Sequence, residues 1–271
     1  MDKMTNNIFE RNNVKIFGQG DQPVIFAHGF GCDQNMWRFL TPAFEKDFKI
    51  VLFDYVGSGK SDLTAFKPER YGKLDGYARD VIEISDALAL SDAIFIGHSV
   101  SGMIGSLAAI ERPELFQSLI QIGPSPCYIN HPPDYTGGFE REDIHALLDM
   151  MDKNYIGWAN FLAPVIMKNP DRPDLGAELE ESFCSTDPTT ARCFAEATFF
   201  ADNRKDLEKV TTPSLIVQVT DDAIAPVSVG EFMHRNMPNS RLYLLEASGH
   251  CPHMSHPQET IKVIKEYLGT V

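Results

Sequence analysis

Six short apolar runs limit this chain more than anything else in it: "VIFA" (24–27), "IVLF" (50–53), "AIFI" (93–96), "LIQI" (119–122), "SLIVQV" (214–219) and "RLYLL" (241–245). Runs this short and this continuously apolar fit strands of a parallel sheet covered on both faces. Helical patterns lie between several of them. Tyr77, Val81, Ile84 and Leu88 form one apolar stripe, and residues 229–237 and 260–268 are amphipathic. The small residues of "GMIGSLAAIE" predict a helix that approaches the sheet closely. Strands alternating with helices predict an α/β fold, a mostly parallel, doubly wound sheet with right-handed crossovers. A weaker strand around Val14–Phe17 is expected to form a hairpin edge.

The rhythm breaks between 126 and 205. This interval holds no convincing strand, carries Pro132-Pro133 and Gly137-Gly138, and then reads helical, with Ile144, Leu147, Leu148 and Met151 at helical spacing. The expected organisation is a core of 1–125 and 206–271 with a helical cap, 126–205, inserted between two strands. A plain helical bundle packed on the core is the alternative.

In open α/β sheets ligands bind beyond the carboxyl ends of the strands, so the turns after the apolar runs are the informative positions. Ser99 follows "AIFIG" in "GHSVSGM". A strand, a sharp turn and a helix would expose its Oγ above the sheet, as in G-x-S-x-G nucleophile elbows. The final glycine of that pattern is Ser101 here. Ser99 is equally suited to a helix N-cap, and the pattern alone does not choose.

Asp222, in "VQVTDDAIAP", follows another run and lies four residues before Pro226, with Asp221 competing. A carboxylate there can orient an imidazole. His250, in "SGHCPHMSHP", follows the last run, and a neutral imidazole there can take a serine proton. Zinc at His250, His253 and His256 is disfavoured, because Pro252 and Pro257 break up their spacing. The order Ser, Asp, His, each after a strand, is that of the α/β-hydrolases. "HGFGCD" after the first run supplies a further part. The backbone N–H groups of Phe30 and Val100 are the expected oxyanion hole.

"GSGKS" (57–61) resembles the end of a phosphate-binding loop, but the required first glycine is Asp54, so nucleotide binding is set aside. The net charge of −14 argues against nucleic acid and anionic membranes. No stretch approaches a membrane span. The N-terminal residues lack a secretory pattern, and five cysteines without C-x-x-C spacing point to reduced thiols in a cytoplasmic protein. No cofactor or metal motif is present.

The segments "HGFGCDQNMW", "FDYVGSGKSD", "GHSVSGMIG", "FEREDI", "NYIGWA", "DDAIAPVSVG" and "SGHCPHMSHP" together resemble the RsbQ-type α/β-hydrolases, bacterial stress-response regulators. They are also similar to the plant strigolactone and karrikin receptor hydrolases. The resemblance implies Ser99 as nucleophile, Asp222 as triad acid, His250 as base, and a four-helix cap over a small apolar cavity. Phe30, Trp158 and Phe194 are then expected pocket walls, and a serine at 101 is usual. It further implies hydrolysis of a small apolar ester or lactone without a cofactor, in a signalling role with a PAS-domain serine phosphatase as partner. A stand-alone carboxylesterase, perhydrolase or C–C hydrolase is the alternative.

Overall fold

The computed structural model describes residues 3–270. Seven strands form one sheet: β1 (Lys15–Phe17), β2 (Pro23–Ala27), β3 (Lys49–Leu52), β4 (Ala93–His98), β5 (Phe116–Ile122), β6 (Ser214–Asp221) and β7 (Ser240–Ser248). All six apolar runs fall on strands, with Phe53 just past the end of β3. Their spatial order is β1-β3-β2-β4-β5-β6-β7, parallel throughout except for β1 against β3. Every residue of β2 and β4 is buried, as layers on both faces of a parallel sheet require. The expected hairpin is not formed. β2 is flanked by β3 and β4, so β1 has no edge of its sequence neighbour to pair with and lies antiparallel on β3.

The helices are α1 (Lys3–Arg11), α2 (Pro68–Tyr71), α3 (Leu74–Ala87), α4 (Val100–Glu111), α5 (Arg141–Lys153), α6 (Tyr155–Met167), α7 (Pro173–Ser185), α8 (Pro188–Phe199), α9 (Val227–Asn236), α10 (Pro252–Ser255) and α11 (Pro257–Leu268). The stripe Tyr77, Val81 and Ile84 faces inward from α3 and is buried. Helix α4 lies close over β4 because its residues are small. A Cβ on Gly105 would stand 2.3 Å from the Phe95 ring, so any larger residue would push the helix off the sheet.

Between β5 and β6 the chain leaves the sheet. A loop with isolated bridges (Ile129 to Phe139, His131 to Tyr135) leads into α5–α8. Helix α6 runs on past Pro164 to Met167 and ends with Lys168 in the left-handed region (φ 47°). No described helix is long and apolar enough to cross a membrane.

The topology locates the site. After β2 the chain builds β3 on one side, then crosses to place β4 on the other side. The crevice at such a switch point, beyond the carboxyl ends of β2 and β4, is where open α/β sheets hold ligands. Phe30 and Ser99 follow those two ends.

Candidate active site

Ser99 sits between β4 and α4 with φ +56° and ψ −123°, a strained backbone for a residue with a side chain. Its neighbours hold it there. Ser99 N–H donates to Ile122 O at 2.8 Å, and Gly102 N–H donates to Ser99 O at 2.9 Å. Although Ser99 stands at the N-cap position, its side chain makes no capping bond. The hydroxyl turns to His250 instead, with Oγ 2.8 Å from Nε2.

His250 Nδ1 lies 2.7 Å from Asp222 Oδ2, and both side chains are almost fully buried. The other Asp222 oxygen accepts from the backbone N–H groups of Ile224 (2.7 Å) and Ala225 (3.2 Å). Burial alone would raise the Asp222 pKa, but His250 and these two amides hold it below the usual carboxylate value. A charged Asp222 accepts, so Nδ1 carries the proton. The bare Nε2 then accepts from the Ser99 hydroxyl.

Asp221 takes no part in this relay. It pairs with Lys168 and accepts from Ser248 Oγ at the surface. His256 Nδ1 bonds Ser255 Oγ, and His253 is packed between Trp37 and His98. The three imidazoles that the sequence clusters therefore face different surroundings.

The main chain of His250 is held at both ends. Its N–H donates to Ile166 O of α6 at 2.8 Å, one of the carbonyls a helix C-terminus leaves free. Its carbonyl lies 2.9 Å from His98 Nε2. The residue before Ser99 thus secures the residue opposite it, a contact that "GHS" does not announce. His98, Cys251 and His253 bring possible ligand atoms within 4.8 Å of one another. The two rings are packed at 4.4 Å between centroids; His98 Nε2 is engaged by the His250 carbonyl, while His98 Nδ1 and both His253 nitrogens are buried without a hydrogen-bond partner. At Cys127, His131 and Asp202, Arg204 already grips the carboxylate through two bonds.

Among the described residues, neither Phe30 N–H nor Val100 N–H donates to a protein acceptor. Val100 begins α4, where the helix dipole favours an anion. The Phe30 loop is squeezed against α7. Gly31 has φ +71°, and a Cβ there would stand 1.9 Å from the Phe183 ring, so only glycine fits. Ser101 Oγ donates to His28 O at 2.5 Å and lies 3.0 Å from Tyr55 Oη. The residue that departs from G-x-S-x-G ties α4 to the Phe30 loop.

The sequence profile of the α/β-hydrolase fold family matches residues 22–257. The chain belongs to this family. Among curated relatives, the Karrikin insensitive 2 receptor CA of Petunia hybrida is 38% identical over 96% of both chains. The strigolactone esterase D14 of Arabidopsis thaliana is 35% identical, covering 97% of this chain and 98% of its own. A solved hydrolase from Oleispira antarctica superposes with a TM-score of 0.97 at 48% identity over 98% of each chain.

In this α/β-hydrolase the Ser99 hydroxyl opens into a cavity walled by Phe30, Ile166, Leu179, Phe183, Phe199 and Ile224. Of the sequence-expected wall residues, Phe30 lines it. Trp158 and Phe194 stand one layer back, with ring centroids 6.1 and 5.7 Å from that of Phe30, and Phe194 borders a second, smaller void beside Phe30. The cavity beside Ser99 is small, about 30 Å³.

Sequence reasoning missed Tyr128. It leaves the sheet after β5, and its Oη lies 3.2 Å from Ser99 Oγ. Burial pushes its pKa well above the usual phenol value, so it stays protonated. The Ser99 proton is committed to His250, so Tyr128 donates to Ser99 Oγ.

Proposed function

We propose that this hydrolase cleaves small esters or lactones through an acyl-enzyme, with Ser99 as nucleophile. The observation that carries the reading is the hydrogen-bonded line Ser99–His250–Asp222 beside two uncommitted amides. Ser99 Oγ attacks the carbonyl carbon while its proton passes to His250 Nε2. The imidazolium is stabilised by Asp222, and the oxyanion is received by Phe30 N–H and Val100 N–H. Collapse expels the alcohol oxygen, which takes the proton from His250. Water then repeats the sequence on the acyl-enzyme and frees Ser99. The segment 126–205 acts as the lid, since Tyr128, Ile166, Leu179, Phe183 and Phe199 all border the cavity. Turnover of p-nitrophenyl acetate by the wild type, abolished in Ser99→Ala, tests the reading. Unchanged turnover in that variant refutes it.

A signalling output is the second reading. It is favoured by relatives named Karrikin insensitive 2 receptor and by the resemblance to RsbQ-type regulators. In it the hydrolase works with a PAS-domain serine phosphatase in the cytoplasm. The outer face of α6, where Ile156 and Phe161 are 55% and 56% exposed, is the proposed contact. Co-purification with such a phosphatase, lost in Phe161→Glu with esterase turnover intact, tests it. No association at all removes it.

A further inference from the structure

Thr198 lies near the end of α8, 2% exposed, in the wall of the Ser99 cavity. A threonine or serine within a helix has a ready acceptor in the carbonyl one turn back. Ser85 uses Val81 O, Ser106 uses Gly102 O and Thr260 uses His256 O. Thr198 does not. Its Oγ1 is buried and has no hydrogen-bond partner. A hydroxyl left unpaired in a dry interior is destabilising, and native proteins pair such groups with protein, water or ligand.

The rest of the cavity sharpens this. Its walls are aromatic and aliphatic, while Ser99, His250 and Tyr128 are hydrogen-bonded to one another. Among the described lining residues, Thr198 offers the uncommitted hydroxyl. The apolar walls hold no counter-charge, so the group it meets is neutral.

We propose that Thr198 recognises substrate, and that this enzyme selects small esters or lactones carrying a second neutral oxygen, ether or carbonyl, apart from the scissile carboxyl. Thr198 Oγ1 donates to that oxygen. The inference rests on the hydrolase reading above, and it replaces a purely apolar acyl group with one bearing a hydrogen-bond acceptor.

The test uses matched p-nitrophenyl esters in which an ether oxygen replaces a methylene: methoxyacetate against butyrate, and β-methoxypropionate against valerate. Values of kcat/KM are compared for wild type, Thr198→Val and Thr198→Ser. Valine matches the volume of threonine, and the intrinsic reactivity of each ester cancels when the oxygen-to-methylene ratio is compared between enzymes. The expected result is a ratio that falls about tenfold in Thr198→Val for at least one pair and recovers in Thr198→Ser. Equal ratios in wild type and Thr198→Val for both pairs overturn the proposal. Turnover of no ester by wild type, or equal turnover by Ser99→Ala, marks failure of the hydrolase reading instead.

Discussion

Ser101 Oγ donates to the backbone carbonyl of His28 across 2.5 Å. That hydroxyl is thereby committed, so Tyr55 Oη, 3.0 Å away, donates to Ser101. The side chain at the apparently wrong position of the elbow thus joins the helix behind Ser99 to the loop that presents Phe30 N–H.

Installing the usual glycine, Ser101→Gly, is therefore expected to be harmful. It leaves the His28 carbonyl and the Tyr55 hydroxyl unpaired in a dry interior, destabilising the fold by about 1–3 kcal/mol. It also loosens the Phe30 amide, so kcat falls with stability. Urea unfolding and steady-state kinetics read both effects. Ser101→Ala should behave alike, which excludes glycine flexibility as the cause. Wild-type stability and kcat in both variants would refute the role.

Tyr128→Phe removes the donor to Ser99 Oγ and leaves a ring of nearly the same shape. The expected result is a kcat lowered about tenfold, the worth of one hydrogen bond to a reacting oxygen, with an unchanged unfolding midpoint. An unaltered kcat would assign Tyr128 to packing alone.

How far the sequence disclosed all this follows from how local each signal is. The strands were legible because a layer buried on both faces leaves continuous apolar runs, and Ser99, Asp222 and His250 because each follows one of those runs. The edge strand Lys15–Phe17 was legible as a strand but not in its pairing, since β2 gives both its edges to strands that come later in the chain. Tyr128 and Thr198 lie in irregular or helical segments, where no period separates a residue facing the cavity from one packed in the core. Trp158 and Phe194 illustrate the same point, being apolar, on α6 and α8, and packed onto Phe30 rather than beside Ser99.

Stability should fall on mild acidification through the buried imidazoles. Burial, with a smaller contribution from His250, lowers the His98 pKa to about 3. Burial and the neighbouring His98 hold His253 well below the usual range. Both folded values lie beneath the unfolded one, so the unfolded chain takes up protons that the folded chain refuses. Their contribution is complete above about pH 6.5 and is lost as pH falls toward the folded values, by up to about 1.4 kcal/mol per pH unit for each ring. His253→Phe keeps an aromatic ring between Trp37 and His98 and removes one of these groups. Its unfolding free energy should decline less steeply than that of wild type between about pH 6.5 and 4.5, where unfolded carboxylates remain mostly charged. Identical slopes would contradict the assignment.

The most direct measurement is the mass of the enzyme quenched during turnover of p-nitrophenyl acetate, followed by peptide mapping. A nucleophilic Ser99 predicts a transient gain of one acetyl group on the peptide containing Ser99, absent in Ser99→Ala. Undiminished turnover with no acetyl on Ser99, or with the acetyl on another residue, would contradict it.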